Sequence, residues 1–231
     1  MPTPPVAGPV LGIDTSGGTS VALVDAAAGW TQLGVAGSPD PRGHAEVLTP
    51  LISEVLDAAG LSAPDLAGIA VGTGPAPFTG LRVGIVTARM LGRAAGVEVW
   101  GVPSLDVWAR AWFDGEGRAA DGAVRVVADA RRREVYTARY VRDGDGAVVR
   151  TDGPDVVAPD RLTLAEPCVG PATGLYPDAL PTVPGAPEEF DAALLARIGA
   201  ERAAAGDDVA LTPLYLRRPD VAPRAPRKRA S

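Results

Sequence analysis

Three segments carry residue types from which an active site could be assembled. Asp14-Thr15-Ser16-Gly17-Gly18 closes an apolar run. A carboxylate followed by hydroxyls and glycine N–H groups could hold a magnesium-bound water and cradle a phosphate. Gly72-Thr73-Gly74-Pro75 also follows an apolar run and precedes a helical pattern, a place where backbone N–H groups can collect an anion. It departs from the dinucleotide fingerprint, because Pro77 stands where the third glycine belongs. Asp129-Ala130-Arg131-Arg132-Arg133-Glu134 could grip phosphate through its guanidinium groups. Outside these segments, His44 with Glu46 could serve as a metal ligand or general base. Plainer readings stand beside each: polar turns for the Asp14 and arginine segments, a helix cap or core side chain for His44, an inert buried thiol for Cys168. For Asp14 and His44 the plainer reading is the better one on residue chemistry alone.

The rarest residues exclude the most. Lys228 is the only lysine, and it precedes Arg229, so no Walker A loop is present. His44 is the only histidine, which removes HExxH zinc chemistry, and no core lysine is available for a Schiff base. The 231 residues are 46% hydrophobic and 22% charged, an ordinary globular balance. No stretch approaches the roughly 20 apolar residues of a membrane span. The first ten residues lack the basic and apolar regions of a signal peptide, and the lone Cys168 allows no intrachain disulfide. The expectation is a cytoplasmic protein with no membrane contact.

Net charge is −6, but residues 217–231 hold six basic groups against Asp220 and total +5, leaving −11 elsewhere. An acidic body argues against extensive contact with a phosphate backbone. The Pro-rich stretch 219–231 is expected to be a solvated, disordered basic tail.

These segments need elements to hold them. Val10–Asp14 and Thr19–Asp25 read as a hairpin around a Gly-rich turn, with a more polar run near 30–35 extending the sheet. A helix from His44 to Gly60 shows an apolar stripe, including Leu48, Leu51, Ile52 and Val55, wider than one sheet contact requires. A strand over 66–72 leads to a second helix from Phe78 to Gly96. In it Gly80, Gly84, Ala88 and Gly92 recur every fourth residue as a smooth ridge, expected to admit another helix closely. Strand 97–102 and helix 104–112 follow, then a polar break at 115–122. Val124–Asp129 and Glu134–Val141 form a second hairpin around the arginines, about 115 residues after the first. This is a weak internal repeat, consistent with duplicated halves. Segment 167–174 reads as a strand running into a turn, 188–205 as an amphipathic helix, and 213–218 as the close of the fold. The halves divide as 1–112 and 113–218, with the last segment expected to reach back to the first lobe.

Taken together, LGIDTS, GHAEVLTPLI, VGTGPAPFTGLRVG, VPSLD, VADARRREVY and PLYLR, in that order over residues 10–218, resemble the TsaB (YeaZ) family. Two departures are visible: Ala76-Pro77-Phe78-Thr79-Gly80 replaces a usual Gly-Ser-Phe-Thr-Gly, and His44-Ala45-Glu46 a usual His-Ser-Glu. The resemblance implies an α/β actin/hexokinase-like (ASKHA) duplicated fold of two lobes, each a mixed sheet with flanking helices. It also implies a non-catalytic subunit of the machinery making threonylcarbamoyladenosine in tRNA. There the paralogue TsaD carries the metal-binding histidines and transfers the threonylcarbamoyl group, and TsaB dimerises with TsaD and supports TsaE binding. Contact with tRNA would be indirect, and a homodimer is possible when the chain is alone. The implied partner interface lies on the first two long helices: His44, Leu48, Leu51, Ile52, Val55, Phe78, Gly80, Leu81, Gly84, Ala88 and Gly92. A bulky residue at Gly84 should then disturb docking and spare folding. Asp14, Thr15, Ser16 and Gly74 would form a degenerate nucleotide loop, with no intrinsic cofactor or metal and with ATP or ADP at the interface shared with TsaD. The alternative is an ATP-binding enzyme or glycoprotease-like hydrolase of the same fold class, working through Asp14 and His44.

Overall fold

A computed structural model describes residues 6–40, 43–115 and 122–217. The expected tail 219–231 and nearly all of the polar break lie outside the described residues. The first half opens with β1 (Pro9–Asp14), β2 (Thr19–Asp25) and β3 (Thr31–Ser38), followed by α1 (His44–Ala58). It continues through β4 (Gly68–Gly72), α2 (Phe78–Ala95), β5 (Val99–Val102) and α3 (Ser104–Asp114). These strands form one sheet in the order β3-β2-β1-β4-β5, antiparallel through the meander and parallel from β1 to β4 to β5. The second half contributes β6 (Gly122–Asp129), β7 (Val135–Arg142), β8 (Val148–Val157) and β9 (Cys168–Val169), in the order β8-β7-β6-β9. It again has an antiparallel meander and then one parallel step, from β6 to β9. The repeated strand order is the duplication that the paired hairpins anticipate, in an α/β fold of two mixed sheets flanked by helices.

Alternation along β1 sets the layers. Leu11 and Ile13 point to the face covered by α1 and α2, with Leu48, Ile52, Val55, Leu81 and Ile85. Val10 points to the opposite face, with Leu195, Ala196 and Ile198 of α4 (Ala192–Ala205). Helix α4 starts later than the sequence suggests because Asp191 caps it, its side chain accepting from the N–H of Leu194 at 2.8 Å. This helix corrects the boundary at 112/113. Though it belongs to the second half of the sequence, it lies on the first sheet. A Cβ at Gly12 would stand 2.1 Å from the Ala192 carbonyl oxygen, and one at Gly199 would stand 2.7 Å from Ala70. The chain then returns along β5, where Gly101 N–H donates to Val209 O at 2.8 Å and Leu214 N–H to Thr73 O at 2.9 Å. Residues 209–214 thus lie against β5 and the Thr73 turn. The second sheet buries Val124, Val126, Ala138 and Tyr140 against Leu105, Trp108, Trp112 and Phe113 of α3. Strand β8 is absent from the sequence reading. Its Thr151-Asp152-Gly153-Pro154 centre looks like a turn, and as an edge strand it is largely exposed.

Candidate functional site

A cleft of about 780 Å³ opens between the two sheets, within the usual range for a ligand site. Asp14, Thr15, Ser16, His44 and Gly80 line it, across from Asp129 and Arg131. Asp14 ends β1 and is almost fully buried. Its Oδ2 accepts from Ser104 Oγ at 2.6 Å, and its Oδ1 accepts from Ser16 N–H at 2.7 Å and Ser16 Oγ at 2.6 Å. Burial pushes its pKa above the usual carboxylate range, although these hydrogen bonds pull the other way. Gly72 makes room for the carboxylate, since a Cβ there would stand 1.8 Å from Asp14 Oδ2. His44 opens α1, is buried, and places Nδ1 2.8 Å from Thr19 Oγ1. Thr15 Oγ1 donates to the Gly80 carbonyl at 2.9 Å, tying the β1–β2 turn to α2.

Gly74 is not part of this wall. Its N–H donates to Ser104 Oγ at 3.3 Å and its carbonyl accepts from Ser104 N–H at 2.8 Å, so neither group faces a ligand. The expected loop of Asp14, Thr15, Ser16 and Gly74 is thus reduced to its first three members. A magnesium nucleotide does not fit what remains. The metal would have to draw Asp14 away from Ser104 and Ser16, and the rim adds Glu188 and Glu189. Among the described residues, no three His, Cys, Asp or Glu side chains gather where one metal ion could be held. Burial raises the Cys168 thiol to about 12, which leaves it unreactive.

The anticipated partner interface is corrected more sharply. His44, Leu48, Ile52, Val55, Leu81, Gly84, Ala88 and Gly92 are buried in this chain's own interior, and Leu51 is half-covered by the same core. The ridge on α2 faces inward. Added Cβ atoms would meet Thr15 Oγ1 at 2.5 Å from Gly84, Val99 Cγ2 at 2.3 Å from Gly92, and the His44 ring at 2.9 Å from Gly80. The glycines serve close packing of α2 on its own lobe. Phe78 remains half-exposed, its ring 4.8 Å from that of Tyr215, with the Arg82 guanidinium 3.7 Å above it. The outward surface of α2 carries Val86 and Met90 instead, 55% and 62% exposed and one turn apart.

Sequence reading missed Ser104, Trp108 and Phe190. Ser104 lies inside VPSLD, directly after a strand and at a helix start, a position that could have singled it out. Trp108 and Phe190 meet edge to face at 6.0 Å on the cleft wall, and 82 positions of sequence separate them with no local signal. The arginine turn is more strained than composition suggests: Arg131, Arg132 and Arg133 have φ of 62°, 56° and 59°. Each such left-handed residue costs about 1–2 kcal/mol.

The family model described as "TsaD: tRNA N6-adenosine threonylcarbamoyltransferase" matches residues 32–172. An uncharacterized protein of Mycobacterium tuberculosis is 39% identical over 226 residues, 94% of this chain and 95% of its own length. The tRNA threonylcarbamoyladenosine biosynthesis protein TsaB of Escherichia coli is 39% identical over 109 residues, 46% of this chain and 45% of that protein. The crystal structure of YeaZ from Pseudomonas aeruginosa superposes with a TM-score of 0.71 at 26% identity, over 90% of this chain and all of that one. Among the described residues no helix is long and apolar enough to cross a membrane. With TsaB-named relatives matching it, YeaZ structures aligned over about nine tenths of it and a family model over more than half of it, this chain belongs to the TsaB (YeaZ) family.

Proposed function

We propose that this chain is a non-catalytic subunit of the cytoplasmic machinery that makes threonylcarbamoyladenosine in tRNA, docking TsaD and supporting threonylcarbamoyl transfer by that partner. The observation that carries this reading is the apolar outer surface of α2, where Val86 and Met90 stand exposed beside half-covered Val83. Isolated exposed apolar residues need no explanation, but neighbours at i and i+4 on one helix make a docking stripe. The outward side of α2, rather than the inward ridge, is the face that would receive TsaD. In isolation the same face is open to a second copy of the chain. ATP or ADP would bind at the surface shared with TsaD, and TsaE would join the pair there. A catalytic role for Asp14 and His44 is disfavoured because Asp14 is held by Ser104 and Ser16, and His44 by Thr19.

Reconstitution tests the proposal. TsaD of the same organism, supplied with threonylcarbamoyl adenylate and tRNA, should modify tRNA substantially faster with this chain than without it. The chain without TsaD should transfer nothing. Transfer by the chain alone, or no effect on TsaD, would overturn it.

A further inference from the structure

The outer face of α2 carries charge as well as apolar side chains. The helix contains Arg82, Arg89 and Arg93 and no acidic residue. All three arginines are exposed, as are Val86 and Met90. Neighbours along this stripe stand three or four residues apart, so they share one side of the helix. From Arg82 to Arg93 it runs about 16 Å. The chain outside residues 217–231 has a net charge of −11, so the sign on this face is opposite to that of the body.

Most other described arginines are neutralised within the chain. Arg110, Arg125, Arg142 and Arg202, for example, pair with carboxylates at 2.8, 3.1, 3.2 and 2.8 Å. On α2 the acceptors are neutral instead. Arg82 Nε donates to Tyr215 Oη at 2.7 Å with its guanidinium over the Phe78 ring, and an Arg89 guanidinium N–H donates to the Leu211 carbonyl at 3.4 Å. Arg93 has no partner among the described residues. Leu211 and Tyr215 therefore hold two guanidinium groups in place without cancelling their charge. Groups fixed in advance lose less conformational entropy when a partner arrives.

This combination narrows what can cover the face. Arg and Met are both enriched at protein interfaces, and Val86 and Met90 call for an apolar counterpart. The arginines beside them call for carboxylates, whose two oxygens match the guanidinium fork. A phosphate backbone would offer the charge but no apolar surface. A second copy docked α2 to α2 would set arginine against arginine, which favours an acidic partner over a copy.

We propose that Arg82, Arg89 and Arg93 make this face selective for a protein surface on which carboxylates flank an apolar patch, and that they speed its capture. On the docking reading above, on which this rests, that acidic and apolar surface belongs to TsaD. Val86 and Met90 hold the bound partner, while the arginines select it and orient its approach.

The test is the association and dissociation rates of TsaD with the full-length protein, by surface plasmon resonance across a salt series. The wild-type association rate should fall steeply as salt rises, because screening removes the steering. The pair Arg89→Glu and Arg93→Glu should lower that rate about tenfold or more at low salt and abolish its fall with salt. The pair Arg89→Lys and Arg93→Lys should keep most of the rate, since long-range attraction depends on charge and not on the fork. Thermal midpoints of both pairs should match the wild type because these side chains are exposed. Met90→Ala should speed dissociation and leave the salt dependence intact. An unchanged association rate and salt dependence in the charge-reversed pair, with TsaD still bound, would overturn this inference alone. No binding of TsaD by the wild type would overturn the docking reading and this inference with it. Binding of the wild type to phosphatidylglycerol vesicles, lost in the charge-reversed pair while TsaD association is unchanged, would overturn it in favour of a membrane surface.

Discussion

Asp14 is of a residue type that could hold a magnesium-bound water, yet its carboxylate is used inside the chain, by Ser104 from α3 and Ser16 from its own turn. Because burial raises its pKa, the folded protein holds a proton that the unfolded chain has released between the two pKa values. Stability therefore falls as pH rises through that interval and levels off above the raised pKa. Acidifying from neutral pH into the interval should stabilise the wild type relative to Asp14→Asn, by about 1.4 kcal/mol for each unit of elevation. Thermal midpoints of the two proteins across pH check this, and parallel curves would show that folding leaves the Asp14 pKa unshifted. The DTSGG turn was legible as a strand-end turn of polar residues. Its sequestration was not, because Ser104 lies 90 positions away and reaches Asp14 only once β5 pairs with β4.

At the scale of elements, periodicity located the helices well and misjudged which way α2 faces. A four-residue spacing of small residues defines a face that something approaches closely, but not whether that thing is a partner or the chain's own sheet. Here it is the latter, with Thr15, Val99 and His44 filling the space that side chains would take. Gly84→Ala should therefore destabilise the isolated protein by about 1–3 kcal/mol through overpacking, partly offset by better helix propensity. Denaturant unfolding measures it; an unchanged or higher midpoint would mean that Thr15 yields at no cost. Edge strand β8 was illegible for a related reason. Its pairing with β7 is long-range, and its exposed, Gly-Pro-containing sequence carries no apolar alternation to announce a strand.

Viewed whole, the two sheets are joined more tightly than a two-lobed sequence division implies. Asp106 on α3 accepts from Tyr140 of β7 at 2.7 Å and from Arg202 of α4 at 2.8 Å, so one buried carboxylate links the second sheet to a helix resting on the first. The duplication was readable because both hairpins repeat a strand ending in aspartate, and the strand orders then match. The crossing of α4 was not, since Gly12 and Gly199 reveal themselves as a matched pair only when helix and sheet meet. Among the exposed apolar side chains of the described residues, which include Val35 and Leu175, Val86 and Met90 stand together on one helix face, and TsaD is proposed to cover it. The direct measurement is the affinity of TsaD for wild type and for Val86→Asp and Met90→Asp by titration calorimetry, alongside each variant's thermal midpoint. Each variant should bind at least about tenfold more weakly, or roughly 1.4 kcal/mol, with midpoints unchanged because both side chains are exposed. Wild-type affinity in both variants would contradict it.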